Sequence, residues 1–358
     1  MELSVSMASN IKMRILLTAD PELPVPPKLY GGIERVIDLL VQEFVAAGHY
    51  VALLAHPEST SAASVNYSWP TQSSQDARPN GKALSKAVKE FQPDILHSFS
   101  RLLWLLPLLG KPFPKVMSYQ REPTGRTVQL SNWLHRGRLH FTGCSEYICG
   151  NGRARGGGDW TAIHNAVDAS AYQCKAQVSD DAPLVFLSRI EPIKGCHNAI
   201  EIAKRSGRRL IIAGNHFEEG EFGDYWRQKI LPEIGMNRIE HVGPVNDQQK
   251  NELLGQAAAM VVPIEWNEPF GIVFAEALAC GTPVISSPRG ALPEIIEQGR
   301  HGFLVNNIEE GVAAVKQLDT INRTECREHF ERAFSSKFIS EKYLNLYRKL
   351  IQQHATST

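Results

Sequence analysis

Two rhythms of apolar positions alternate along this chain. Continuous apolar runs bounded by Gly, Pro, Asp or Asn read as strands buried on both faces. Stretches with an apolar residue every three or four positions read as helices. The run 13–19 (MRILLTA) predicts a buried parallel strand. A Pro-rich loop over 21–27 follows, and Gly31-Gly32 opens a helix with Ile33, Val36, Ile37, Leu40, Val41 and Phe44 on one face. Gly48 stops that helix, and 50–54 is the next strand. The polar segment 59–82 reads as an irregular excursion, leading to a helix that ends near Phe91. Strands are expected at 94–98, 115–119, 139–144 and 162–167.

A polar, uneven stretch over 168–182 reads as a linker, and a second β-α series starts at Leu184. It predicts strands at 184–188, 209–213, 239–242, 260–262, 283–286 and 302–304, with helices at 199–206, 248–257 and 271–280. A last helix over 336–352 places Phe338, Tyr343, Leu344, Tyr347 and Leu350 largely on one face. The expected class is α/β, with two Rossmann-like doubly wound domains over 1–170 and 171–335. A length of 358 residues suits two domains of roughly 100–200 residues each.

Composition narrows the partners. With no formal net charge the chain is not expected to bind nucleic acid. Charge is uneven, however. Arg101, Lys111, Lys115, Arg121, Arg126, Arg136, Arg138, Arg153 and Arg155 face only Glu122, Glu146 and Asp159 in their part of the chain. That excess, with Trp104 and Trp133 among it, fits an anionic partner or peripheral contact with a membrane. The first residues, MELSVSMASNIK, lack the apolar core of a signal peptide. The longest apolar run, 102–109, contains Pro107 and falls short of the about 20 residues of a membrane span. The six cysteines are scattered without metal spacing and read as reduced thiols, so a cytoplasmic location is expected.

Chemistry concentrates in three segments. In 263–281 (PIEWNEPFGIVFAEALACG), Glu268 precedes a helix, Glu276 lies inside it, and Gly271 allows close backbone approach at its start. Helix N-termini suit phosphates, and ionised carboxylates accept from hydroxyl pairs. In 187–195 (LSRIEPIKG), Arg189 and Lys194 follow a strand at a sheet's carboxyl edge and can converge on a diphosphate. In 28–35 (KLYGGIER), two glycines sit between strand and helix. There is no P-loop, no G-x-S-x-G and no dinucleotide fingerprint, which disfavours an ATPase, a serine hydrolase and a dehydrogenase. Nor is there a D-x-D or His/Cys ligand cluster, so no metal is expected.

These residues resemble the retaining glycosyltransferases of the GT-B fold, family 4. The spacing of Glu268 and Glu276 matches that family's E-x7-E motif, within EPFGIVFAEALACGTPVISS. VGPVNDQQKNELLGQAAAMVVP and GALPEIIEQGRHGFLV resemble it too, as do YGGIERV, PDILHS and IHNAVD in the first half. The resemblance implies an active site in a cleft between an acceptor-binding first domain and a nucleotide-sugar-binding second one. It also implies that 336–358 packs back on the first domain.

Residue roles come with it. Arg189 and Lys194 would hold the leaving diphosphate, Glu268 the donor sugar, and Glu276 the ribose. Phe270, Gly271 and Ile272 would offer backbone N–H groups, Gly32 would line the phosphate side, and Val245 would lie beside the base. Gly31, Glu34, Gln120 and Arg121 would face the acceptor. Many relatives carry a His where Gln120 stands, and Gln cannot act as a base. His97 belongs to an earlier strand and reads as a packed histidine. The expected reaction moves a hexose, from UDP-glucose by family frequency, onto a glycan, lipid-linked or small-molecule acceptor, with no cofactor. A nucleotide-sugar 2-epimerase of the same architecture and a non-catalytic sugar-nucleotide binder are the alternatives.

Overall fold

The computed structural model describes residues 12–28, 31–134 and 138–356. Leu29 and Tyr30 of the KLYGGIER segment, and Arg136 of the basic stretch, lie outside them. The chain divides into two units, one made of residues 1–166 and 336–358, the other of residues 167–335.

In the first unit the strands are β1 (Arg14–Thr18), β2 (Tyr50–Ala55), β3 (Val65–Ser68), β4 (Ile95–Ser98), β5 (Lys115–Tyr119), β6 (Leu139–Gly143) and β7 (Trp160–Ala162). Between them run α1 (Gly32–Ala46), α2 (Ala77–Phe91), α3 (Leu102–Leu105), α4 (Gly125–Leu134) and α5 (Glu146–Gly156). All seven strands are parallel, in the order β3-β2-β1-β4-β5-β6-β7. The order reverses between β1 and β4, which marks the switch point where such sheets bind ligands.

The second unit holds β8 (Leu184–Leu187), β9 (Leu210–Ala213), β10 (Ile239–Gly243), β11 (Ala259–Val262), β12 (Val284–Ser286) and β13 (Gly302–Leu304). Its helices are α6 (Cys196–Ser206), α7 (Gly220–Tyr225), α8 (Asp247–Gln256), α9 (Ile272–Ala279), α10 (Leu292–Ile295), α11 (Ile308–Val315) and α12 (Arg323–Ala333). This sheet too is parallel, ordered β10-β9-β8-β11-β12-β13, with its switch point between β8 and β11. The inner strands of both sheets are buried on two faces, which is why they read as unbroken apolar runs.

The last helix, α13 (Ser336–Ala355), belongs to the first unit. Its Tyr343 and Tyr347 are buried there, and Tyr347 Oη lies 2.5 Å from Nδ1 of His97 on β4. The other ring nitrogen of His97 is 2.6 Å from Ser118 Oγ, and burial pushes its pKa down to about 3. His97 is a packed, hydrogen-bonded core residue. Among the described residues, no helix is long and apolar enough to cross a membrane.

Three expectations need correction. The excursion over 59–82 contains β3 and the first turns of α2. As an edge strand β3 alternates half-buried and exposed positions, so it carries no apolar run. The strand expected at 162–167 is instead β7, placed earlier by the pairing of Trp160 with Phe141, whose rings stack at 4.7 Å. Trp104 is not a surface residue: the 102–109 segment is core, and Trp104 packs fully buried against Trp69 with ring centroids 4.8 Å apart. The basic stretch is also partly neutralised, since Arg155 pairs with Glu122 at 2.8 Å and Arg153 pairs with Glu146.

Candidate active site

Arg189 and Lys194 lie in the segment that leaves β8 at the switch point. Pro192 starts a short turn over Pro192–Lys194, and Gly195 closes it in the left-handed region at φ 72°. A side chain at Gly195 would run into the Pro263 carbonyl, so only glycine lets this turn lie against the loop after β11. The Ile190 N–H donates to the Asn215 carbonyl at 2.8 Å, tying the segment to the loop after β9. Arg189 is half exposed, and its Nη1 lies 2.8 Å from the buried carboxylate of Glu191. Glu191 thus orients the guanidinium.

The second switch-point segment leaves β11 and carries Trp266, Glu268 and Gly271. Lys194 Nζ lies 2.7 Å from Glu268 Oε2, and Trp266 Nε1 donates to the same oxygen at 3.0 Å. The ammonium also sits 4.5 Å from the Trp266 ring centroid. Only 11% and 12% of the Lys194 and Glu268 side chains are exposed, so this pair is largely withdrawn from water. The residues expected on the diphosphate and on the sugar are therefore in direct contact. Behind Glu268, the Ala291 N–H donates to its carbonyl at 2.9 Å, and any side chain at Gly290 would overlap that carbonyl.

Gly271 stands just before α9 at φ 77°, with no side chain capping the helix. A Cβ there would fall 2.5 Å from the Phe274 ring, so the open helix start depends on glycine. Uncapped N–H groups and the helix dipole make this end attractive to a phosphate. Phe270 is buried, packing on Phe334, and Ile272 is the first residue of α9.

Glu276 is not a surface acid on α9. It is buried, and its Oε1 accepts from Tyr172 Oη at 2.7 Å and from Lys250 Nζ at 2.5 Å. Burial and the Glu276 charge push the Tyr172 hydroxyl well above its ordinary pKa, so it stays a donor. Tyr172 and Lys250 escape a motif reading because they reach Glu276 only when distant segments meet, whereas Glu191 and Trp266 lie two residues from the side chains they hold and show their roles only in the folded loops. Val245 is half-buried between β10 and α8.

In the first unit, Gly31 and Gly32 start α1 as expected, with Gly31 pressed against Pro27. Glu34 is buried, which raises its pKa, and Arg121 is close enough to counter part of that rise. Gln120 and Arg121 follow β5 at the same carboxyl edge of the sheet. The structure adds Asp20, just past β1. Burial raises its pKa to about 6, with Arg101 and Arg121 opposing and Glu22 and Glu34 reinforcing that rise. Asp20 Oδ1 and Gln120 Oε1 are both buried without a hydrogen-bond partner among the described residues. Among those residues no group of three or more His, Cys, Asp and Glu is arranged to hold a metal ion.

The family model described as Glycosyltransferase Family 4 matches residues 30–171, and that described as Glycosyl transferases group 1 matches residues 173–333. The chain belongs to glycosyltransferase family 4. Glycogen synthase of Mycobacterium tuberculosis is 26% identical over 349 residues, 81% of each chain. Among solved structures, AviGT4, a glycosyltransferase involved in avilamycin A biosynthesis, is 25% identical with a TM-score of 0.71, covering 95% of this chain and 98% of its own. Alr3699/HepE of Anabaena, in complex with UDP and glucose, is 17% identical with a TM-score of 0.71, covering 93% of this chain and 99% of its own. The glycosyltransferase has the GT-B fold of these structures, with its two Rossmann-like parallel-sheet domains.

Proposed function

We propose that this glycosyltransferase moves a hexose from a nucleoside diphosphate sugar to an acceptor hydroxyl, with retention at the anomeric carbon and without a metal. The observation that carries this is the meeting of Lys194, Glu268 and Trp266 beside the open start of α9. Cations and helix N–H groups suit a diphosphate, and the adjoining carboxylate suits sugar hydroxyls. Glu276, with Oε1 held by Tyr172 and Lys250, keeps Oε2 for the ribose hydroxyls. Phe270, Gly271 and Ile272 line the sugar and phosphate, Val245 flanks the base, and the family resemblance counts Gly32 among the donor-binding residues.

In the reaction the bond from the anomeric carbon to the diphosphate oxygen breaks as the acceptor oxygen bonds to the same face. The acceptor proton passes to the departing diphosphate, so no side-chain base is needed. Arg189 and Lys194 stabilise the negative charge that grows on the leaving group, an electrostatic contribution fixed before the reaction begins. Gly31, Glu34, Gln120 and Arg121 receive the acceptor. The two unpartnered oxygens of Asp20 and Gln120 are acceptors in need of O–H donors, which a polyhydroxylated acceptor supplies. We place the reaction in the cytoplasm, in cell-surface polysaccharide or glycolipid synthesis.

UDP-glucose is the first donor to test, because the Anabaena structure of the same fold holds UDP and glucose. The 2-epimerase alternative is not favoured, since both matching family models are of glycosyl transferases. The test is a thermal-shift screen of UDP-, GDP- and ADP-sugars with and without EDTA, followed by NMR of the transfer product. A ligand at about 100 times its Kd stabilises by about 2.7 kcal/mol. A shift that survives EDTA and an α-linked product from an α-linked donor support the reading. Binding without turnover leaves a sugar-nucleotide binder, and no shift with any donor overturns the proposal.

A further inference from the structure

The first unit contains a second concave site that the transfer reaction does not use. It is a cavity of about 590 Å³ at the amino ends of β5, β6 and β7, beneath the later turns of α13. The ligand-binding loops discussed above leave the opposite, carboxyl edge of the same sheet. Its titratable lining is lopsided: Lys115, Arg138, His140, Lys349 and His354 face a single acid, Asp159.

These charges are built in. Lys115 is fully buried, with Nζ donating to the carbonyls of Lys111 at 2.8 Å and Phe113 at 2.7 Å. Carbonyl partners fix the ammonium without neutralising it. His140 is held by Thr161 Oγ1 at 2.8 Å. Neither Arg138 nor Lys349 forms an ion pair among the described residues, whereas nearby Arg153 and Arg155 are both paired. The crowding shows in the titration of the lining. Burial pushes the Lys115 pKa down to about 7, and Arg138 pushes it further in the same direction. Burial also lowers His140, with Asp159 opposing and Lys349 reinforcing. Like charges gathered in a concavity repel one another, and a bound polyanion removes that repulsion.

We propose that this cavity is a binding site for clustered phosphate groups, borne by a soluble oligophosphate or by a phospholipid headgroup. Arg138 supplies a planar fork and Lys349 a mobile point charge, while Lys115 forms a floor that a bound anion would keep protonated. Trp160, Leu346 and Leu350 give the cavity an apolar wall for whatever carries the phosphates. The site does not depend on the transferase reading, because no residue assigned to donor or acceptor lines it.

The experiment titrates the full chain calorimetrically with inorganic pyrophosphate, with saturating UDP present to occupy a donor site. In parallel, flotation compares vesicles containing phosphatidic acid with vesicles of phosphatidylcholine alone. Both arms are repeated on Arg138→Gln/Lys349→Gln, whose side chains reach the surface, and on Arg189→Ala. Unchanged melting temperature of the double variant establishes that it folds. Binding in either arm that weakens at least tenfold in the double variant and stays unchanged in Arg189→Ala supports the site, and the responding arm identifies the source of the phosphates. Binding in neither arm, or binding that the double variant leaves intact, overturns it.

Discussion

Lys194 Nζ and Glu268 Oε2 lie 2.7 Å apart although 74 residues separate them in the chain. The pair joins the two loops that flank the switch point of the second sheet, so one contact both braces the site and brings its opposite charges together. Removing one partner leaves the other charge largely buried. Lys194→Met is expected to cost about 3 kcal/mol of stability. Lys194→Met/Glu268→Gln should recover most of that loss while remaining inactive. Chemical denaturation of both variants measures this, and equal losses would mean the pair carries no coupling.

Arg189 is half exposed and, among the described residues, its guanidinium is tied to Glu191 alone. Its proposed work is done as charge develops on the leaving diphosphate. Arg189→Ala is therefore expected to lower kcat by about 100-fold, as loss of a preorganised donor does. Donor KM should change much less. Steady-state kinetics decide the matter, and an unchanged kcat removes Arg189 from the machinery.

Tyr172 acts through Glu276. Tyr172→Phe deletes one of the two hydrogen bonds on Glu276 Oε1. A hydrogen bond to a charged group contributes about 1.5 kcal/mol, equivalent to roughly a tenfold rise in donor KM. The kcat should hold, because the reacting carbon lies elsewhere. A fall in kcat at constant KM would contradict this positioning role.

Asp20 gives a pH signature. Its carboxyl pKa is raised to about 6 from an ordinary 3.8, chiefly by burial. Folding therefore favours the protonated form. The stability it contributes is fully present below pH 3.8 and is lost as pH rises through 6. Asp20→Asn should be more stable than the parent at pH 8 by about 2 kcal/mol, after allowing for partial exposure. The two should converge near pH 4. Melting curves across this range are the check, and a constant difference at every pH would rule out the titration.

Much of this architecture is written in the chain, and the exceptions have physical reasons. Buried parallel strands announce themselves as apolar runs: β1, β8 and β13 lie where MRILLTA, LVFLS and GFL place them. The edge strand β3 does not, because VNYS meets solvent on one face and offers no run to read. Trp104 shows the converse limit, since a tryptophan in a basic stretch looks the same whether it faces water or Trp69. At the site, Glu268, Glu276, Arg189 and Lys194 could be picked out by type and spacing. Their partners could not. Tyr172 reaches Glu276 across 104 residues, a relation no local pattern encodes. Asp20 was equally hidden, its single acid at a strand end gaining meaning only from the burial and the charges around it.

The placement of α13 also constrains how the molecule is made. Its tyrosines complete the core around His97, 250 residues earlier in the chain. The second unit is one uninterrupted stretch, whereas the first is finished only by residues 336–358. During synthesis the second unit can reach its native core while the first still lacks its closing helix. The first unit, though begun before the second, is then sealed after it, once α13 has been delivered to cover His97.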